Sequence, residues 1–127
     1  MSNGTIVIAD DHEPTRRVLA DLLRADGWAV LEARDGEELL EVASANRPDA
    51  VVTDLGMPRM GGLHAARALR QLPGGAVERL IAITGRKLTI AQEAELDRVF
   101  DRVLRKPVSL PKLRGDLRRG LKTTGPD

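Results

Sequence analysis

The chain has 127 residues, which suffices for one domain with an ordinary hydrophobic core. Its 20 basic and 19 acidic residues leave a net charge of +1, so bulk charge does not point to nucleic acid or a membrane surface as a partner. The lack of cysteine excludes disulfides, thiolate nucleophiles and cysteine metal ligands.

Short apolar segments alternate along the chain with longer amphipathic segments. The first, over 5–9, is apolar on both faces, which is typical of a strand buried on both sides of a sheet. Leucines and valines then recur at helical spacing until Gly27, and Asp35 stands where it can cap a second helix. In chain order, the predicted elements are strand 5–9, helix 13–26, strand 28–33, a helix from Asp35 to just before Pro48, strand 49–53, a helix over 63–72, strand 80–84, helix 89–98, strand 102–105 and a helix over 110–121.

This alternation predicts an α/β fold, a doubly wound five-stranded parallel sheet with helices on both faces. Ligands of such sheets bind beyond the carboxyl ends of the strands. An acidic residue after one strand is usually a turn or cap residue. Here three carboxylates, a hydroxyl and an ammonium group converge on one edge, which suits a divalent cation and a phosphoryl group. These groups belong to Asp10, Asp11, Asp54, Thr84 and Lys106.

The residues at the predicted strand ends form five short motifs in a fixed order. They are Asp10-Asp11, Asp54, Met57-Pro58 with Gly61-Gly62, Thr84-Gly85 and Lys106-Pro107. With these motifs the chain resembles the receiver domain of two-component response regulators, in particular the single-domain, chemotaxis-type regulators. The resemblance implies a flavodoxin-like strand order of 2-1-3-4-5. It also implies a single receiver domain over 1–127, with its core at about 5–121 and a tail at 122–127.

The resemblance implies a role for each site residue. Asp54 is expected to accept a phosphoryl group from a kinase histidine, Thr84 to hydrogen-bond a phosphoryl oxygen, and Lys106 to pair with Asp54 and then with the phosphoryl group. Positioning and charge neutralisation dominate such transfers. The resemblance implies a phosphoacceptor signalling domain and not an enzyme, although the domain would assist its own phosphorylation and dephosphorylation. The expected metal is Mg²⁺, with Mn²⁺ as the alternative. It would be held by Asp11, Asp54 and the backbone carbonyl of Gly56, with Asp10 acting through its water shell.

Some positions depart from the family's pattern. Val103 stands where an aromatic switch residue is common, and a valine side chain cannot swing between buried and exposed states as an aromatic one does. Val99 replaces a common glycine before Phe100, and the turn into the fifth strand is expected to differ. Arg86 lies at the predicted mouth of the site. It is either a contact for the phosphoryl group or the kinase, or a solvated loop residue.

The expected partners are a sensor histidine kinase or a histidine phosphotransfer protein, and an output partner at the face of residues 88–121. A homodimer is a further option, whereas no nucleic acid and no membrane are expected, since aromatic residues and apolar runs are too few. The short segment after the last predicted helix favours output through partner binding or phosphorelay. No leader pattern is recognised at the N-terminus, so the expected location is cytoplasmic.

Other interpretations stay open. The chain could be the receiver piece of a hybrid histidine kinase or of a longer regulator, or a scaffold that works without phosphorylation. An aspartate-based phosphohydrolase would need an acid two residues after Asp54, where Gly56 stands. A flavodoxin-like electron carrier would need a phosphate-binding loop after the first strand, and residues 9–13 are acidic instead. His12 and His64 are interpreted as surface residues and not as metal ligands.

Overall fold

The structure, a computed structural model, describes residues 3–74 and 77–121. The predicted tail at 122–127 lies outside these residues. Within the described ranges, five strands alternate with five helices. They are β1 (Gly4–Ala9), α1 (Glu13–Ala25), β2 (Trp28–Ala33), α2 (Gly36–Asn46), β3 (Ala50–Asp54), α3 (Gly62–Arg70), β4 (Arg79–Thr84), α4 (Ile90–Asp97), β5 (Arg102–Arg105) and α5 (Leu110–Leu121).

The strands form a parallel sheet in the order β2-β1-β3-β4-β5. This confirms the predicted doubly wound sheet and its flavodoxin-like order. β1 pairs with β2 on one side and with β3 on the other, and Ala9 near the end of β1 lies opposite Thr53 in β3. Asp10 and Asp54 therefore stand at the ends of neighbouring strands, at the same edge of the sheet.

Two hydrophobic cores lie on opposite faces of the sheet. Because successive side chains of a strand point to opposite faces, β1 contributes to both cores. One core is covered by α1 and α5, and the other by α2, α3 and α4. Buried residues of the first core include Ile6, Ile8, Leu23, Leu113 and Leu117, and those of the second include Val7, Leu39, Val51, Leu69 and Leu96.

Polar side chains set several element boundaries. Asp35 caps α2 as predicted, since its carboxylate accepts the N–H of Glu38 at 2.8 Å. His12 is exposed, as expected, and it also caps α1. β3 begins one residue later than predicted, after Asp49, whose carboxylate accepts the N–H of Thr5 at 2.8 Å. Across the described residues, the helices are too short or too polar to cross a bilayer.

Candidate functional site

Three carboxylates meet at the edge of the sheet where β1 and β3 end. Asp10 and Asp11 follow β1, and Asp54 is the last residue of β3. Each residue offers one carboxylate oxygen, and these oxygens all lie within 4.8 Å of one another. Asp10 is buried, Asp54 is half-buried and Asp11 is exposed. The structure therefore brings together the three acids that the sequence placed at this edge.

Lys106 supplies the positive charge of the site. Its backbone N–H donates to the carbonyl of Thr84 at 2.9 Å, which fixes the position of Lys106 just beyond β5. Its Nζ lies 3.5 Å from Oδ1 of Asp54 and 3.9 Å from Oδ2 of Asp10. One ammonium group thus faces two carboxylates. The family resemblance implied the pairing of Lys106 with Asp54, whereas the contact of Lys106 with Asp10 was not predicted.

Burial and neighbouring negative charges destabilise the ionised form of Asp10. Burial raises the pKa of Asp10 most, and the charges of Asp54 and Asp11 raise it further. The N–H of His12 donates to Oδ1 of Asp10 at 3.0 Å and, with Lys106, lowers this pKa, but the net shift is upward. The three carboxylates of the cluster also outnumber the one ammonium group that faces them. Oxygen ligands with excess negative charge are what a hard divalent cation prefers.

Asp54 opens onto a cleft between the loop after β3 and the loop after β4. Its lining includes Gly56, Thr84, Arg86 and Lys87. Thr84 is buried, and its hydroxyl oxygen accepts the N–H of Arg86 at 3.1 Å. Arg86 thus lines the same cleft as Asp54, at the mouth predicted for it. The Asp54 carboxylate is therefore reached from an open cleft.

Gly56 and Gly62 shape the segment that follows Asp54 in different ways. A Cβ at Gly56 would meet no heavy atom within 4 Å, so the loop is open at the position two residues after Asp54. A Cβ at Gly62 would lie 2.4 Å from the carbonyl oxygen of Asp54 and 2.9 Å from Oγ1 of Thr53. A side chain at Gly62 would therefore displace either α3 or the backbone at Asp54. The Gly61-Gly62 motif was predicted, but this close approach was not.

Val103 and Val99, two positions where the family commonly has other residues, pack in or against the hydrophobic core. Val103 is half-buried and packs against the core beneath α4, and Val99 and Phe100 are buried in the same core. His64 is exposed on α3. None of these four side chains is in the carboxylate cluster.

Sequence reasoning missed Arg16, which lies beside the site on α1. Its guanidinium donates from Nη1 to the backbone carbonyl of Asp10 at 3.0 Å, and its side chain is buried. A signal was present, because Arg16 is in helical register with Ala20 and Leu23, both fully buried. An arginine on the buried stripe of a helix indicates a specific partner inside the fold.

Comparisons with known proteins agree with this geometry. The response regulator MprA of Mycobacterium sp. (strain KMS) is 38% identical over 122 residues, which are 96% of this chain and 52% of the relative. MprA of Mycobacterium leprae is 37% identical over the same length, 53% of the relative. The chain thus spans about half the length of these curated relatives.

Solved receiver structures share the fold. The receiver domain of sensor histidine kinase PA1611 from Pseudomonas aeruginosa PAO1, with magnesium coordinated in its active-site cleft, has a TM-score of 0.83 and 27% identity, covering 94% of this chain and 98% of its own. The chemotaxis protein CheY4 of Vibrio cholerae has a TM-score of 0.83 and 26% identity, covering 95% and 99%. The sequence also matches the profile of the response regulator receiver domain over residues 6–118. The chain therefore belongs to the receiver domain family of two-component response regulators.

Proposed function

We propose that this domain accepts a phosphoryl group on Asp54 from a histidine kinase or a histidine phosphotransfer protein. The observation that carries the proposal is the Lys106 ammonium, 3.5 Å from the Asp54 carboxylate in a cluster with Asp10 and Asp11. Asp54 is also the carboxylate of that cluster that lines the open cleft. A carboxylate that is half-buried, faces a cation and opens onto a cleft can act as a nucleophile towards phosphorus.

The transfer uses groups already placed around Asp54. A carboxylate oxygen of Asp54 forms a bond to phosphorus while the bond from phosphorus to the donor's imidazole nitrogen breaks. Lys106 faces the charge that gathers on the phosphoryl oxygens. The Thr84 hydroxyl uses its oxygen to accept the N–H of Arg86, so its hydrogen can be donated to a phosphoryl oxygen.

The donor set fits Mg²⁺, with Mn²⁺ as the alternative. Asp10, Asp11 and Asp54 offer oxygen ligands only, and these three carboxylates face a single ammonium group, that of Lys106. These three residues would hold the ion together with the main-chain carbonyl of Gly56. When bound, the ion neutralises charge on the phosphoryl oxygens. The magnesium reported for the PA1611 receiver supports this assignment.

The signal would leave through the face formed by residues 88–121. This face contains α4, β5 and α5, and the cleft beside Asp54 reaches α4 through Gln92 and Leu96. A displacement of the loop after Thr84 could therefore alter α4 without an aromatic residue at Val103. Binding of an output partner, phosphorelay or homodimer formation at this face would be the response, and the domain would work as a signalling phosphoacceptor in the cytoplasm.

The test is intact mass after incubation with acetyl phosphate and Mg²⁺. We expect one added phosphoryl group on the wild type and none on Asp54→Ala, with loss of the adduct when Mg²⁺ is chelated. Asp97→Ala is the matched control, because Asp97 is an exposed carboxylate on α4 outside the cluster. It should be phosphorylated like the wild type. An adduct that persists in Asp54→Ala would contradict the assignment, and no adduct from this donor or a histidine kinase would favour a scaffold.

A further inference from the structure

Arg16 is a buried cation beside a site that is otherwise acidic. The residue is 6% exposed, although it belongs to the first turns of α1 at the domain edge. Its Nε donates to Oε1 of Glu32 in β2 at 2.9 Å, and its Nη1 donates to the backbone carbonyl of Asp10 at 3.0 Å. Burying a guanidinium is costly even when it is paired, so an ion pair alone gives little reason for its position.

Arg24 shows what the ion pair with Glu32 requires. It lies two turns further along α1, and its Nη2 donates to Oε2 of the same Glu32 at 3.2 Å. The Arg24 side chain is 43% exposed, whereas that of Arg16 is 7% exposed. A surface arginine is therefore sufficient to pair with Glu32. Arg24 also donates to the Val30 carbonyl and to Asp21. The contact of Arg16 that reaches the carboxylate site is the one with Asp10.

That contact completes the fixation of the backbone at Asp10. The N–H of Asp10 donates to the carbonyl of Ala33 at 3.1 Å, and the Asp10 carboxylate accepts the N–H of His12 at 3.0 Å. Arg16 holds the remaining group, the Asp10 carbonyl. The backbone from Asp10 to His12 is thus held from β2, from its own turn and from α1. Asp11, the exposed acid of the cluster, lies within this stretch.

We propose that Arg16 is a positioning residue of the metal site, which sets the carboxylates of Asp10 and Asp11 through the Asp10 carbonyl. This inference rests on the proposed function, since it assumes that the cluster binds a divalent cation. Groups that orient metal ligands without touching the metal typically change metal affinity by about 10- to 100-fold when they are removed. Since a cation held through water depends less on each ligand, we expect a loss near the lower end, about tenfold.

The experiment compares Arg16→Gln with Arg24→Gln, using Mn²⁺ as the probe. Both variants lose one arginine contact with Glu32, but only Arg16→Gln loses the contact with the Asp10 carbonyl. Electron paramagnetic resonance gives the dissociation constant from the free Mn²⁺ signal and reports the environment of the bound ion. Circular dichroism establishes the temperature at which every variant is fully folded. We expect Mn²⁺ to bind about tenfold more weakly to Arg16→Gln and unchanged within error to Arg24→Gln.

Arg16→Lys is the conservative variant, which keeps the charge and can donate to the Asp10 carbonyl. We expect its dissociation constant to lie between those of the wild type and Arg16→Gln. If Arg16→Gln does not fold, the comparison becomes Arg16→Lys against Arg24→Lys, and only the former should bind Mn²⁺ more weakly. Equal affinities of the variants at positions 16 and 24 would overturn the inference. Failure of the proposed function would differ, because the wild type itself would then bind no Mn²⁺ or accept no phosphoryl group.

Discussion

Glu32 is a carboxylate held in its charged form by two arginines. Burial disfavours the charge, but hydrogen bonds from Arg16 and Arg24 and the charges of both arginines outweigh it. They hold the pKa of Glu32 below its ordinary value of 4.5. Because the folded state favours the ionised form of Glu32 more than the unfolded chain does, ionisation of Glu32 stabilises the fold. That stability is fully present above pH 4.5 and is lost as the pH falls through the lower folded-state pKa.

The variant Glu32→Gln tests this linkage. At neutral pH we expect its free energy of unfolding to be lower than that of the wild type by about 1.5–3 kcal/mol, the range for hydrogen bonds to a charged group. The difference should shrink as the pH falls below 4.5, because Glu32 is then protonated first in the unfolded chain and, at its lower pKa, in the folded protein. Urea unfolding at a series of pH values measures it. A difference that is constant down to pH 2 would show that packing, and not ionisation, accounts for the loss.

Among single residues, the sequence predicts well which ones lie at strand ends, and it predicts poorly which side chains of a helix contact the sheet. Asp10, Asp54 and Lys106 could be placed because each stands at the end of a predicted strand, and parallel strands end at one edge. The Arg16 contact depends on how α1 is rotated above β1 and β2, which the hydrophobic pattern of α1 does not fix closely. The space around Gly62 depends likewise on the separation of α3 from β3. Such contacts follow from the three-dimensional packing of helices on the sheet, which the sequence pattern does not specify.

Helix α4 is stabilised more by local interactions than by packing against the hydrophobic core. Leu96 is its buried residue, and Ile90 in its first turn is 86% exposed. A capping box at its start joins Thr89 to Gln92, whose N–H donates to the Thr89 hydroxyl at 3.1 Å. An ion pair between Arg67 of α3 and Glu95 holds its outer side. The weak amphipathicity of residues 89–98 predicted this helix, and capping accounts for its short span of Ile90–Asp97.

We predict that Thr89→Ala lowers the protection of α4 amides against hydrogen exchange. Loss of a threonine cap costs about 1 kcal/mol, which corresponds to about fivefold faster exchange for amides that open with the helix. Thr89→Ser keeps the hydroxyl and should retain wild-type protection. In the wild type, the α4 amides should also exchange faster than those of β1 and β4. Equal protection of α4 and the central strands would contradict a helix held mainly by local contacts.

The whole molecule is organised by the order of its strands. Alternating strands and helices predict a parallel sheet, but several strand orders satisfy that pattern. The order 2-1-3-4-5 follows from the resemblance to receiver domains and is confirmed by the pairing of β1 with both β2 and β3. This pairing places Asp10 and Asp54 on neighbouring strands. The approach of Asp54 to the sequence neighbours Asp10 and Asp11 is therefore a product of topology, and the repulsion of Asp54 by these two residues belongs to the folded state.

We predict that Mg²⁺ stabilises the whole domain because a folded cluster binds the ion and an unfolded chain does not. A tenfold excess of Mg²⁺ over its dissociation constant adds about 1.4 kcal/mol to the free energy of unfolding. For a domain of this size that raises the thermal midpoint by about 4–6 °C. Differential scanning calorimetry measures the shift, and NaCl at equal ionic strength corrects for screening.

Neutral variants assign that shift to the cluster. Asp11→Asn removes an exposed acid of the cluster, so it should unfold at a higher temperature than the wild type without Mg²⁺ and gain little when Mg²⁺ is added. Asp97→Asn removes an exposed carboxylate of α4 and should keep the full Mg²⁺ gain. If Asp11→Asn gained as much as the wild type, the ion would be acting elsewhere on the surface. A gain confined to chains with an intact cluster would tie the stability of the fold to the repulsion among Asp10, Asp11 and Asp54.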